Sequence, residues 1–310
     1  MPCYKPLDAW SSTCLKPNGK RHVVFSELPP TPQYERIQIP CGQCIGCRLE
    51  RSRQWALRCM HEASMHEDNS FVTLTYNDDN LPPTGSLVKS DFQKFMKRLR
   101  RRVEPLQIRY YMCGEYGENP EEPNNLGRPH YHAILFGFRP TDLELHAVTD
   151  RDDKLFTSDF LSDVWGKGYV IIGDVTFESC AYVARYVAKK ITGQQADHHY
   201  MKLDYNTGEL YPVLPEYNDM SRRSAIGNAW FKEFYRDLEK DFITARGVKM
   251  KPPRYYDKLF EGLHPEKFSA IKEERKLKSW EQFEDNSPDR LRVKEQVKRN
   301  RIKLLKRKLT

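Results

Sequence analysis

His130 and His132, with Tyr182 and Tyr186 about fifty residues later, are the side chains of this sequence best suited to chemistry. Read as a strand, residues 127–136 put both imidazoles on one face, because side chains alternate with period two, so one metal ion can take both. Read as a helix, residues 182–190 stack the two tyrosines one turn apart. Tyr182, Tyr186 and Lys189 then share one sector flanked by Arg185 and Lys190, while Val183, Ala184, Val187, Ala188 and Ile191 line the opposite side. Tyrosines that merely packed the core would be expected on the Val/Ala stripe.

Glu115 is the natural third metal ligand. It ends the strand pattern of residues 108–117, and if that segment pairs with 129–138 as a hairpin, its carboxylate can approach the imidazoles. Two neutral histidines and a carboxylate leave positions open for water and phosphate oxygens and would accept Mg²⁺ or Mn²⁺. A phenol with a pKa of about 10 is only about 0.1% ionised at neutral pH. Lys189 and Lys190 would favour its anion, and a bound metal would polarise a phosphodiester for in-line attack. The expected product is a covalent phosphotyrosine, and a second tyrosine allows a second transfer.

Eight cysteines are present, and three follow one another as Cys41, Cys44 and Cys47 with Gly42 and Gly46 between them. That spacing suits a zinc site, with Cys3 or Cys14 as fourth ligand. Cys59, Cys113 and Cys180 lie in apolar or helical contexts and are expected in the core.

The elements that must position these groups follow from hydrophobic periodicity. The first forty residues, with a short strand at 22–25, read as an arm or lobe organised by the cysteines. Residues 47–66 read as a helix, 71–76 as a strand, and 90–102 as a helix capped by Ser90. After the hairpin, residues 141–165 read as helical at both ends, 168–173 as a strand, and then comes the tyrosine helix. His198 and His199 read as a surface turn, residues 206–208 as a hairpin turn, 228–242 as a helix, 252–256 as a loop, and 265 onward as charged helix. This order predicts an α+β fold with a central antiparallel sheet flanked by helices.

The formal charge of +8 points to a polyanionic partner. It is concentrated in residues 97–102 and 290–310, where phosphate contacts are expected. No stretch has the roughly 18 to 20 apolar residues of a membrane span, and the N-terminal residues lack a secretory core, so an intracellular protein is expected.

The residues now carry a resemblance. His130-Tyr131-His132 is similar to the H-u-H motif, and Tyr182 and Tyr186 followed by Lys189 and Lys190 are similar to the two-tyrosine signature of HUH endonucleases of the rolling-circle replication initiator superfamily. Residues 71–76 resemble its first motif. Residues 1–4, 41–59, 114–117, 221–223 and 226–227 resemble more narrowly the initiators of gokushovirus-like microviruses, so the resemblance covers residues 1–260.

The resemblance implies a nickase that attaches to the 5′ phosphate of origin DNA, frees a 3′ hydroxyl for the host polymerase, and later rejoins the displaced strand in the cytoplasm of a bacterial host. Single-stranded and origin DNA, host polymerase and a helicase are the implied partners. His130 and His132 carry over as metal ligands, with Glu115 as a third, and Tyr182 and Tyr186 as nucleophiles. It also implies an RRM-like or ferredoxin-like sheet. The expected organisation is a cysteine-rich lobe at 1–66, the HUH core at 67–215, and a helical region with a basic tail at 216–310.

Two rivals remain. An HUH relaxase or transposase would share the chemistry. A zinc-stabilised single-strand binding protein would not nick, and would use exposed aromatics such as Tyr110, Tyr111, Tyr255 and Tyr256 as stacking platforms.

Overall fold

The computed structural model describes residues 3–16, 21–118, 126–150, 152–189, 194–203 and 207–303. The described residues divide into two compact units, one of those up to 51 together with 272–303, and one of those from 52 to 271. In the first, β1 (Leu7–Leu15), β2 (Arg21–Val24) and β3 (Tyr34–Ile39) form an antiparallel sheet in the order β2-β1-β3. The region expected as an arm or lobe is thus a small sheet, followed by α1 (Ile45–Ala63), whose first residues belong to this unit.

The second unit is built on a seven-stranded sheet. In chain order its elements are β4 (Asn69–Tyr76), α2 (Lys89–Arg102), β5 (Arg109–Glu118), β6 (Leu126–Phe136), β7 (Glu144–Val148), β8 (Lys154–Thr157), α3 (Asp159–Trp165), β9 (Gly168–Gly173) and α4 (Phe177–Lys189). Next come α5 (Gln194–His199), the pair β10 (Met201–Leu203) and β11 (Leu210–Pro212), the edge strand β12 (Tyr217–Met220), and α6 (Asn228–Phe234) with a 3-10 turn at Tyr235–Lys240. A small pair, β13 (Ile243–Ala245) and β14 (Val248–Met250), precedes α7 (Arg254–Leu263), α8 (Pro265–Glu281) and α9 (Pro288–Lys303). The division between the units falls within α1 and within α8.

The sheet runs β12-β5-β6-β4-β9-β8-β7 and is antiparallel throughout. Strict alternation gives it two apolar faces. Val72, Leu74, Tyr131, Ala133, Leu135, Val170 and Ile172 pack on one side with Phe92, Phe95 and Leu99 of α2 and Leu161, Val164 and Trp165 of α3. Tyr111, Cys113, Ile134 and Phe136 pack on the other with Ala56 and Cys59 of α1 and Cys180, Val183 and Ala184 of α4. This is the expected α+β architecture, with a large antiparallel sheet and helices on both faces.

Several local expectations fail for identifiable reasons. Of the two helical ends expected in 141–165, the second is α3, but in place of the first the chain forms the β7–β8 hairpin, with Asp152 at φ of 65°. β7 is exposed along its whole length, although Leu145 and Ala147 alternate with Glu144 and His146. Ser90 does not cap α2, since the helix begins one residue earlier behind Val88 with no side-chain cap. Residues 254–256, expected as loop, open α7 directly after Pro253, whose φ of −58° and ψ of 142° leave it just outside the helix. The helix expected over 228–242 narrows to a 3-10 turn after Phe234. The hairpin turn expected at 206–208 joins β10 to β11, which pair in register, but residues 204–206 lie outside the described residues.

Behind the sheet, His61 of α1 stacks on Trp230 at 3.7 Å between ring centroids, and its Nδ1 lies 3.0 Å from the Tyr256 hydroxyl. Burial pushes this imidazole down to about 4. The unfolded chain therefore takes up a proton near pH 6.5 that the folded chain refuses. Stability is fully present above that pH and declines as pH falls from about 6.5 toward 4, by about 3 kcal/mol. His61→Phe keeps the stack and is expected to remove this part of the pH slope in urea unfolding run at several pH values.

Candidate active site

The hairpin register brings the first three predicted ligands together. Glu115 of β5 lies directly opposite His130 of β6, and Cys113 lies opposite His132. Nε2 of His130 and Nε2 of His132 lie 2.7 and 2.9 Å from the same Glu115 oxygen, Oε1. Each imidazole is oriented from its other nitrogen. Nδ1 of His132 is 2.9 Å from Thr73 Oγ1 on β4, and Nδ1 of His130 is 3.1 Å from the Arg128 carbonyl. Such outer partners fix the tautomer and ring angle of a metal ligand. Phe71 stacks on His132 from the same strand as Thr73.

Tyr131, between the histidines, points into the opposite core and is fully buried. Its hydroxyl accepts from Val88 N, donates to Val88 O and meets Tyr76 Oη at 2.9 Å, so the polar tip is satisfied where an aliphatic residue would be expected.

The donor set fits a divalent cation. Glu115 is 3% exposed, and its second oxygen, Oε2, is buried with no hydrogen-bond partner among the described residues. Burial raises this carboxyl, but hydrogen bonds from His130 and His132 outweigh it, and the net effect holds the group below its ordinary range and ionised. A desolvated anion with an unsatisfied lone pair, facing two imidazole nitrogens, is what a metal ion completes.

The tyrosine helix packs beside this cluster. Tyr182 meets His132 edge to face at 5.0 Å between centroids and Phe71 at 6.3 Å. α4 is held from behind as Cys180, Val183 and Ala184 are buried and Ser52 Oγ donates to the Ala181 carbonyl at 3.1 Å. Asn218 of β12 donates to Val183 O at 3.4 Å. The Val/Ala stripe is therefore the buried one through Ala184, and Tyr182 turns toward the histidines. Tyr186 and Lys189 belong to α4, but their side chains, and Lys190 altogether, lie outside the described residues.

In the first unit, Cys3, Cys41, Cys44 and Cys47 bring their sulfurs within 4.8 Å of one another. Cys3 and Cys41 are 3.7 Å apart and Cys3 and Cys44 are 4.0 Å apart, close to the roughly 3.8 Å edge of a tetrahedron with 2.3 Å metal–sulfur bonds. Backbone N–H groups of Tyr4, Cys41 and Cys44 each point at a sulfur from 3.3 Å. Burial raises the Cys44 thiol, but the N–H groups of Cys47 and Tyr4 outweigh it and pull it down to about 7. Burial pushes Cys3 and Cys47 up. Cys14, the other candidate for fourth ligand, is exposed on β1. Cys59, Cys113 and Cys180 are buried in the core as expected.

Other expectations are redirected. Tyr111 and Tyr256 are fully buried, Tyr110 is half-buried against Phe92, and Tyr255 packs on the Arg58 guanidinium, so these four are not open stacking platforms. In the basic run of α2, Arg98 donates to the Val164 and Trp165 carbonyls, Arg100 to the Ile108 carbonyl, and Arg102 pairs with Asp163, although all five cations of the run remain exposed. In α9, Arg290, Lys294 and Arg299 pair with Asp285 and Glu295, and residues 304–310 lie outside the described residues. His198 and His199 end α5, and no metal-ligating cluster includes them among the described residues.

Glu62, which sequence reasoning passed over, sits buried beside Arg109 at 2.7 Å and accepts the Gly227 N–H. Gly227 has φ of +79°, and a Cβ there would lie 2.3 Å from the Tyr256 hydroxyl. The segment 221–227 is thereby fixed structurally, with Arg58 also donating to Ile226 O.

Residues 69–191, which contain the whole Glu/His/Tyr cluster, match the family described as replication-associated protein ORF2/G2P. Replication-associated protein VP4 of Bdellovibrio phage phiMH2K is 33% identical over 299 residues, covering 93% of this chain and 86% of that protein. Replication-associated protein ORF2 of Spiroplasma virus 4 is 32% identical, with coverage of 76% and 72%. ORF4 of Chlamydia phage 1, also replication-associated, is 31% identical over 73% of this chain. No solved structure matches, and among the described residues no helix is long and apolar enough to cross a membrane. Similarity at this level over nearly the full length of a relative makes the chain a member of the family of phage replication-associated proteins, as the resemblance to microvirus initiators implied.

Proposed function

We propose that this protein initiates rolling-circle replication by nicking one DNA strand through tyrosine transesterification. The observation that supports this most strongly is the convergence of both histidines on one buried, half-satisfied carboxylate with Tyr182 packed against His132. Held by Glu115, His130 and His132, Mg²⁺ or Mn²⁺ would polarise the scissile phosphate and offset charge in the displacement. Thr73 and the Arg128 carbonyl keep the imidazole nitrogens aimed inward. α4 sets the approach of the phenol. The phenolic oxygen forms a bond to phosphorus, and the bond from phosphorus to the 3′ oxygen breaks. That oxygen takes up a proton, giving a 5′-phosphotyrosine and a free 3′ hydroxyl for a host polymerase. Rejoining is the reverse attack by a 3′ hydroxyl. With the β7–β8 hairpin between β6 and α3 set aside as an insertion, the strands β5-β6-β4-β9 with α2 and α3 follow the β-α-β-β-α-β order of a ferredoxin-like core, consistent with an HUH catalytic region at 67–215.

The test is incubation of the full chain with an end-labelled single-stranded oligonucleotide from the origin of its own genome and Mn²⁺ or Mg²⁺. An SDS-resistant adduct that a chelator prevents is the expected result. Absence of any adduct across several strands and metals sinks the reading.

The cysteine cluster is read as a structural zinc site. Purified protein is expected to retain about one zinc per chain through desalting. Cys44→Ser should lose the metal and melt at lower temperature, whereas Cys14→Ser should keep both. Equal zinc content in the two variants would remove Cys44 from the ligand set.

A further inference from the structure

Glu115, His130, Thr75 and Tyr169 are directly opposed partners on the adjacent strands β5, β6, β4 and β9. Opposed residues in an antiparallel ladder project from the same face, so Tyr169 stands on the face that carries the metal ligands. Its neighbours Val170 and Ile172 point the other way and are buried against α2 and α3. At a strand spacing of about 4.8 Å, Tyr169 lies about 10 Å from His130 along the row.

The ring is 67% exposed although its backbone is in a central part of the sheet. β8 bridges β9 only at Phe156 and Ile172, leaving the edge beside Tyr169 open. Among the described residues the Tyr169 side chain has no hydrogen-bond, ion-pair or ring partner. Its position is nonetheless fixed. Gly168 has φ of +142°, and a Cβ there would lie 2.3 Å from Asn77 N and 2.4 Å from Thr75 O. Asn77 N also donates to the Lys167 carbonyl at 2.9 Å. Only glycine permits this approach of β4 and β9, and it pins Tyr169 opposite Thr75.

A rigidly placed, unpacked aromatic ring on the metal-bearing face has one natural occupant if a single strand threads that face. We infer that Tyr169 is a stacking platform for a nucleobase of the strand whose phosphate lies at Glu115, His130 and His132. This rests on the strand-cleavage reading above. Stacking needs only the π face that every base has, so the contact positions the strand without reading its sequence.

The experiment uses the full chain, a fluorescent single-stranded oligonucleotide, and Tyr169→Ala beside Tyr169→Phe. Alanine is expected to weaken binding about tenfold or more, and phenylalanine to stay within about twofold of the unchanged protein. Because stacking involves no counterion release, the ratio of the alanine variant's Kd to that of the unchanged protein should hold between about 50 and about 200 mM salt while both affinities fall. In the single-turnover adduct assay, alanine should raise the oligonucleotide concentration that gives half the maximal rate and leave the saturating rate constant near that of the unchanged protein. An oligonucleotide carrying 5-iodouracil should photo-crosslink to the peptide containing Tyr169. Equal affinity of the alanine variant and the unchanged protein overturns the assignment, as does a crosslink found only elsewhere. Failure of the unchanged protein to bind any single strand instead overturns the cleavage reading on which it rests.

Discussion

Replacing His132 by alanine, or Glu115 by glutamine, is expected to lower metal-dependent adduct formation about a thousandfold or more at saturating metal. Both side chains are almost wholly buried, and the sheet holds them from three strands, so neither position can be filled by a neighbour moving in. Glutamine is the sharper probe. It keeps the shape of Glu115 and an oxygen for the imidazole nitrogens, but removes the charge that attracts the cation. Removing one partner of a buried charged contact destabilises the fold, so each protein's own metal-free melting temperature is the reference. Mn²⁺ should then separate them. Binding to the folded state stabilises by about 2.7 kcal/mol at a hundredfold excess over Kd, and that gain should appear in the unchanged protein and vanish in Glu115→Gln. Equal Mn²⁺-induced stabilisation of both proteins would remove Glu115 from the ligand set, whatever the activity.

That cluster was legible in the sequence because a period of two needs only local information, and a hairpin register aligns Glu115 with His130 once both strands are recognised. The buried Val183 and Ala184 stripe of α4 was legible for the same reason at helical period. What escaped depends on who packs against whom. β7 alternates Leu145 and Ala147 with Glu144 and His146, yet both of its faces meet solvent, so nothing packs on its apolar side. Tyr111, Tyr256 and Tyr169 are the same letter in the sequence. Yet two are sealed under helices, while the third is left open by a strand that pairs with its neighbour at a single bridge. The arginines of α2 read as a phosphate-binding run, but Arg98 and Arg100 satisfy carbonyls at the ends of α3 and the start of β5. A charge is visible in a sequence; its partner is not.

The adduct itself should disappear when Tyr182 and Tyr186 are both changed to phenylalanine, and the single variants should divide the labour. Tyr182 packs edge to face on His132 and touches Phe71, contacts that the ring makes without its hydroxyl. Tyr182→Phe therefore keeps the packing of α4 on the sheet, and its melting temperature is expected to move by no more than about 0.5 kcal/mol of stability would produce. Its loss of function is then chemical, because a phenyl ring has no oxygen to attack phosphorus. The expected result is a fall of at least about a hundredfold in the first cleavage for Tyr182→Phe. Tyr186→Phe, one turn further along α4, should spare that cleavage and impair rejoining to a second strand. Arg185 separates the two tyrosines, so trypsin places them in different peptides, and mass spectrometry of the adduct reads directly which residue carries the nucleotide. A nucleotide found on Tyr186 after the first cleavage would reverse the assignment of roles, and an adduct that survives in the double variant would exclude tyrosine chemistry on this helix.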